Sequence, residues 1–385
     1  MSDSFSEVSE QGWLSRIGSA IKGVVIGIIL FAVAILALFW NEGRAVKRYK
    51  TLKEGAGSFI SLSSATVDGA NDGKLVHVSG SVKTEAPLVD SQLGVEVNSV
   101  KLNRTVQMYQ WIEKEDNEKK KKLGGGTETV TTYSYKKGWS SSLNNSNDFK
   151  EPEGHKNPAT MEYESQKFIV DSATLGEFQM SSGLVGQMSK STPVVLTEVP
   201  KSLSGKASLN KGGIYVGEDA SKPVVGDYKI TYTEVKPADV SVVALQSAQE
   251  LRSYQTEVGG TIELLEYGTV PGNQMFQAAQ ASNSKLTWIL RLVGFVVMAI
   301  GVAMVLSPLA VIADVIPFVG DLVGAGTTLI AILVAAVISP IVIAVAWLFY
   351  RPVLSISLLL LATVIVVGIF KVVKSKKEEA TPALA

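Results

Sequence analysis

Residues 26–45 read IGIILFAVAILALFWNEGRA, a long apolar run that stops at Phe39-Trp40 and turns polar at Asn41-Glu42-Gly43-Arg44. Residues 23–40 carry no charge. As a helix they extend roughly 27 Å, close to the hydrocarbon thickness of a bilayer. Trp40 falls where an interfacial aromatic anchor belongs, and Arg44, Lys47 and Arg48 follow in the headgroup zone. The competing reading is a buried core helix. Three more apolar runs near the C-terminus weigh against it. The first half of this span places Ser19, Gly23 and Gly27 four residues apart, a spacing that permits close helix contact.

Working outward, the N-terminal flank is Ser- and Glu-rich, and residues 1–16 are expected to be a disordered tail before a span over 17–40. The bulky end of that span does not suit a signal-peptidase site, so it reads as an uncleaved anchor. Residues 41–284 have ordinary polar composition and short β-like runs, which predicts a large β-rich domain outside the membrane. Helix is expected to continue through 41–55. Residues 74–82, 102–112, 127–139 and 227–235 are the clearest strands, with 102–112 bulky on both faces and so interior to a sheet. The insert at 113–126, EKEDNEKKKKLGGG, reads as a solvated hairpin tip. Residues 172–188 have an amphipathic helical pattern interrupted by glycine.

The C-terminal third supplies spans at 285–307, 322–350 and 352–371, with a basic tail over 372–385. Between the first two of these, residues 308–321 are apolar but broken by Pro308 and Pro317, and are expected to be interfacial or re-entrant. The fold class is therefore an α+β membrane protein with four transmembrane helices, one N-terminal and three C-terminal. Lys371, Lys374, Lys376 and Lys377 suit an anionic lipid surface. Positive charge near the spans is almost balanced between the two sides and does not orient the chain.

Composition narrows the chemistry. The 385 residues hold 36 basic and 36 acidic side chains, which argues against a general affinity for nucleic acid. There is no cysteine, so disulfides, thiolate nucleophiles and cysteine zinc sites are excluded, and only two histidines, His77 and His155, are present. No phosphate loop, nucleophile elbow or metal-spaced cluster occurs, so no catalytic residue, cofactor or metal is expected. The charges of interest lie at the membrane: Glu42 and Arg44 at the junction, close enough to pair at the membrane surface, Arg291 one turn inside the second span, and Asp314 and Asp321. Ionised groups at depth are costly and want partners, with Arg291 or another span as candidates for the two acids; in a loop in water the two are ordinary caps, Asp321 for the third span. Gly320 and Gly324 give a second small-residue spacing for helix packing.

Three stretches carry a resemblance. Phe39-Trp40-Asn41-Glu42-Gly43-Arg44-Ala45-Val46, Val106-Gln107-Met108-Tyr109-Gln110-Trp111 and Asp314-Val315-Ile316-Pro317-Phe318-Val319-Gly320 resemble signatures of the LUMA family, also called transmembrane protein 43. The four-span plan with one large domain between the first and second spans is also similar. The resemblance covers nearly the whole chain. It implies cytoplasmic termini, a lumenal or periplasmic domain, self-association, and a role in membrane organisation and protein assembly. The lamin and emerin partners of animal members have no counterpart in a bacterium, and the cysteine-free chain suits a bacterial inner membrane. No catalytic residues come with the family. The expected function is thus a non-enzymatic scaffold whose partners are the lipid bilayer, further copies of itself and other membrane proteins. The alternatives are transport through Asp314, Asp321 and the glycine-rich residues 320–326, or a membrane-bound enzyme using carboxylates of the β-rich domain.

Overall fold

The computed structural model describes residues 4–357 and Leu360. In chain order its principal elements are strand β1 (Ser4–Gln11), helix α1 (Trp13–Ala56), β2 (Leu75–Thr84), β3 (Lys101–Lys121), β4 (Thr127–Ser140), the short helix α2 (Ser182–Gln187), β5 (Tyr228–Val235), β6 (Asp239–Ser247), α3 (Gly272–Ala313) and α4 (Pro317–Tyr350). The helices α1, α3 and α4 are long and apolar enough to cross a membrane. Two compact units result. One holds residues up to 10, 51–120 and 128–280; the other holds 11–50, 121–127 and 281 onward.

The first unit is β-rich. One of its sheets runs β1, β4, β3, β5, Gly213–Val216, Ala207–Asn210. Strand β3 lies inside that order, with Tyr228 opposite Met108 and Val235 opposite Lys101 along an antiparallel ladder to β5. Its even residues Leu102, Val106 and Met108 are fully buried among Ile230, Tyr232 and Tyr163, so the alternation read from sequence becomes one core cluster. A second sheet pairs β2 with β6 from Leu75–Leu245 to Ser81–Asp239. Its pairings through Glu250–Arg252, Phe178–Met180 and Ala173–Leu175 return to β2 and close a ring. Val76, Val78, Leu175, Phe178, Val240 and Val242 fill it. Closure removes two free edges that would otherwise template aggregation.

Four expectations are corrected here. The first concerns residues 4–11, expected to be part of a disordered tail. They form β1 instead, because β4 offers it an edge: Ser6 hydrogen-bonds Thr132 at 3.1 Å, and Phe5 stacks on Tyr133 at 6.4 Å. Second, the charged insert is not loop up to residue 126. Strand β3 runs on to Lys121, held by polar cross-strand pairs such as Thr131 to Asn117 at 2.6 Å and Tyr135 to Glu113 at 2.7 Å. Third, residues 172–188 are a hairpin followed by the single turn of α2. Gly176 turns the chain at φ +60°, so Leu175 and Phe178 both point into the ring core. Fourth, residues 308–321 are not a separate segment. Pro308 lies within α3, and Pro317 is the first residue of α4, where its missing N–H costs nothing.

The second unit contains the helices. Leu38, Ala34, Met298 and Ala335 bury one another where α1, α3 and α4 meet. Gly27 makes this approach possible, since a Cβ there would lie 2.6 Å from the Gly301 carbonyl oxygen. Of the expected fourth span at 352–371, residues 352–357 continue as helix. The rest of that span and the tail lysines Lys371, Lys374, Lys376 and Lys377 lie outside the described residues.

Candidate functional site

Two polar clusters flank the apolar stretch of α1, one at each of its ends. The first is built on the Asn41-Glu42-Gly43-Arg44 junction. Asn41 and Glu42 are essentially fully buried, although they begin the polar half of the sequence motif. Glu42 does not pair with Arg44. Its carboxylate accepts two hydrogen bonds from Arg291 of α3, at 2.7 and 2.9 Å, and a third from the Trp347 indole of α4, at 2.8 Å. One carboxylate therefore ties three helices together. Arg291 is further covered by aromatic faces, with Trp288 at 4.6 Å and Trp347 at 5.8 Å from its guanidinium carbon.

One turn on, Arg44 donates to Asn283 at 3.1 Å, to the Thr287 hydroxyl at 3.0 Å and to Asn41 at 3.2 Å. Asn41 and Asn283 in turn donate to the backbone carbonyls of Thr287 and Ala45. These bonds cross between α1 and α3 and fix their axial register. Gly43 leaves room for the Tyr350 ring, which a Cβ would meet at 2.6 Å, and Phe39 packs on Phe349 and Tyr350. Trp40 points outward and stays exposed, consistent with an interfacial anchor.

The second cluster gathers at the other end. Asp314, nearly fully buried in the α3–α4 turn, pairs with Arg16 of α1 and with Lys121 at 2.6 Å. Lys121 also reaches Asp321 at 2.6 Å. Neither acid meets Arg291, which is occupied by Glu42. Around them, Arg16 donates to the Gly125 carbonyl at 2.5 Å, Gly124 donates to the Val315 carbonyl at 3.0 Å, and the Trp13 indole donates to the Val311 carbonyl at 2.9 Å. The turn at Gly124 and Gly125 needs positive φ, +88° and +80°, which glycine adopts without strain. Burial opposes the Lys121 charge, but its hydrogen bonds to Asp314 and Asp321 prevail and raise its pKa above the ordinary lysine value. Burial likewise opposes the Asp314 charge, and the bonds from Lys121 and Arg16 overcome it and hold the carboxyl below its ordinary range.

The remaining candidates are dispersed. Gly320 faces Asp314 so closely that a Cβ would overlap its Oδ1, whereas a Cβ at Gly324 would lie 3.7 Å from that of Ala310. A Cβ at Gly23 would meet the Met304 methyl at 4.0 Å, and Ser19 is exposed and accepts from the Gln11 amide. His77 hydrogen-bonds the Val270 carbonyl at 2.9 Å, whereas His155 stacks on Tyr135 at 3.9 Å; they do not form a pair. Among the described residues no group of three or more His, Asp or Glu is placed to hold a metal ion.

The family model for transmembrane protein 43 matches residues 108–352. The rat and human proteins named Transmembrane protein 43 are each 32% identical to the chain, over 89% of its length and 88% of theirs. The chain belongs to the transmembrane protein 43 family. A Drosophila protein named Transmembrane protein 43 homolog is 28% identical over 87% of the chain and 90% of its own length. No solved structure matches the chain. Of the stretches that carried the resemblance, FWNEGRAV now has a physical content in this family member. Its buried Glu42 and Asn41 are the helix-locking groups, and its Gly43 admits Tyr350. The DVIPFVG stretch contributes the buried Asp314, the helix-starting Pro317 and the Gly320 that packs against that acid.

Proposed function

We propose that the chain is a non-enzymatic, self-associating membrane scaffold. Its helices act as a fixed platform in the bilayer, and its β-rich unit organises other membrane proteins or lipid on one face. The observation that carries this reading is the Glu42–Arg291–Trp347 clasp, which uses its polar groups to hold three helices in one register. Polar groups of a transport path face a water-filled cavity or one another across a pathway. Here Glu42 and Arg291 are spent on each other, and Asp314 and Asp321 are engaged by Arg16 and Lys121. The scaffold reading therefore stands ahead of transport. We infer that the β-rich unit lies on the non-cytoplasmic face. In a bacterium that face is periplasmic; in a eukaryotic endomembrane it is lumenal.

Reconstitution into liposomes tests the proposal. Single-molecule photobleaching at low protein density is expected to count more than one copy per assembly. Ion and small-solute flux is expected to match empty liposomes, in the parent chain and in Asp314→Asn/Asp321→Asn alike. A monomer at every density, or a flux abolished by the double substitution, contradicts it.

A further inference from the structure

Tyr228, Ile230 and Tyr232 of β5 face the core, so Lys229 and Thr231 project from the outer face of that sheet. Register carries two rows of side chains across this face. In one, Gln107 of β3 stands opposite Lys229, Lys229 opposite Tyr215, and Tyr215 opposite Ser208. In the next, Thr105 stands opposite Thr231, and the row continues to Gly213 and its partner Asn210. Gly213 has no side chain to fill its place; a Cβ there would lie 3.0 Å from the Thr231 methyl. A cavity of about 220 Å³ opens at this point, lined by Asn210, Lys211, Ile214, Ala220, Lys229 and Thr231.

Two lysines line this cavity and no acid does. Two acids of the adjoining loop are turned to other partners. Asp219 accepts from the Ser221 N–H and hydroxyl, at 2.8 and 2.7 Å, and Asp227 accepts from the Tyr215 hydroxyl and the Val224 N–H. Lys229 is held by an aromatic ring instead. Its Nζ lies 4.0 Å from the centroid of Trp139, which packs on Tyr109 at 5.1 Å. A ring fixes an ammonium without neutralising it. Lys211 occupies a two-residue turn, at φ +50° before Gly212 at +80°. Such a turn favours Asn-Gly, because Asn tolerates positive φ better than Lys does. The backbone strain at Lys211 therefore holds a cation at the cavity where an uncharged residue would fold more easily.

We propose that this cavity binds a phosphate monoester. Two lysines call for two negative charges. A carboxylate leaves one ammonium unbalanced, whereas a phosphate monoester near neutral pH balances both. The Thr231 hydroxyl and the Asn210 amide supply donors for the remaining phosphate oxygens. The volume falls below the roughly 300–1,000 Å³ of sites for drug-sized ligands, so it suits the charged group and a short carrier such as glycerol. That group occurs both on soluble metabolites and on lipid headgroups, and the chemistry of the site is common to the two. The inference concerns the β-rich unit alone and does not depend on what the scaffold assembles.

Isothermal titration of the full-length protein in detergent with glycerol phosphate tests this, with acetate and glycerol as comparison ligands. The expected result is saturable binding of glycerol phosphate, at least tenfold tighter than acetate, and no binding of glycerol. Lys211→Asn should weaken that binding at least tenfold while raising the thermal midpoint of the β-rich unit, since Asn suits the turn. Lys229→Met, on a different strand, should weaken it by a similar factor. Lys190→Met is the charge control: Lys190 also lies over a ring, that of Tyr267 at 4.4 Å, but on the second sheet, and its loss should leave binding unchanged. Displacement of glycerol phosphate by dioctanoyl phosphatidic acid assigns the site to a lipid headgroup, and failure to displace it assigns a soluble phosphate. Absence of saturable binding, equal affinity for acetate, or unchanged binding in Lys211→Asn overturns the proposal. So does a loss in Lys190→Met as large as that in Lys211→Asn.

Discussion

Replacing Arg291 with methionine leaves the Glu42 carboxylate fully buried with one remaining donor, the Trp347 indole. Glutamate is too short to reach the headgroups from that position. Breaking a buried ion pair by removing one partner costs about 3–5 kcal/mol, and this substitution should fall in that range. The reverse change, Glu42→Met, strands an arginine instead. Arg291 is partly exposed, and its long stem lets the guanidinium turn toward the interface, so the cost should be lower, about 2–3 kcal/mol. The double substitution replaces the pair with apolar groups of similar length and leaves only the Trp347 N–H without its acceptor, a loss of about 1 kcal/mol. The two single effects should therefore not add. With the singles summing to about 5–8 kcal/mol and the double near 1 kcal/mol, the coupling should reach about 4–7 kcal/mol, more than a hundredfold in the unfolding equilibrium. Unfolding by SDS titration in mixed micelles, followed by helix circular dichroism, measures all four corners of the cycle. Additivity within about 0.5 kcal/mol, or a Glu42 single that costs more than the Arg291 single, refutes the assignment of Glu42 and Arg291 as a buried clasp.

Other consequences follow from the same geometry. In the β-rich unit, Arg104 makes a bidentate pair with Asp90 while Tyr232 donates to the same acid at 2.7 Å, all fully buried. Arg104→Ala should cost about 3–5 kcal/mol and Tyr232→Phe about 1–2 kcal/mol in thermal unfolding of that unit. Gly320→Ala drives a methyl into Asp314 and should destabilise the α3–α4 turn by about 1–3 kcal/mol, while Gly326→Ala, with open space around it, should be neutral in the same melt. In detergent the Lys121–Asp314 contact should have a pH window. The lowered Asp314 pKa gives stability that is present above the ordinary carboxyl value of about 3.9 and is lost as pH falls through the folded value. The raised Lys121 pKa gives stability that is present below about 10.4 and is lost as pH rises through the folded value. The denaturation midpoint should be flat between these limits and fall on both sides, and Lys121→Met should remove the alkaline arm.

The three span-length helices among the described residues were legible because apolar runs of span length and an aromatic-to-charged boundary are one-dimensional signals. The strands with strict alternation, residues 102–112 and 227–235, were legible for the same reason. The clasp was half visible. Trp40 marks the end of one span and Arg291 lies one turn inside the next, so antiparallel helices put Glu42 and Arg291 at one depth. Local proximity instead suggested Arg44 as the partner of Glu42. What sequence hid were contacts whose partner lies far along the chain. Nothing near Lys121 identifies Asp314, 193 residues away, as its partner, and a lysine run flanked by acids looks solvated. Likewise β1 has the composition of a tail, and only the free edge of β4 makes it a strand. Residues 172–188 misled because Leu175, Phe178 and Leu184 satisfy a helical period as well as a hairpin followed by one turn.

The central claim is that α1 carries the chain across a bilayer and that FWNEGRAV is its exit toward the β-rich unit. Impermeant maleimide labelling of Leu14→Cys and Leu143→Cys in sealed, oriented vesicles tests it most directly. One residue is expected to be labelled only from outside and the other only after the vesicles are opened. Labelling of both residues from the same face would contradict it.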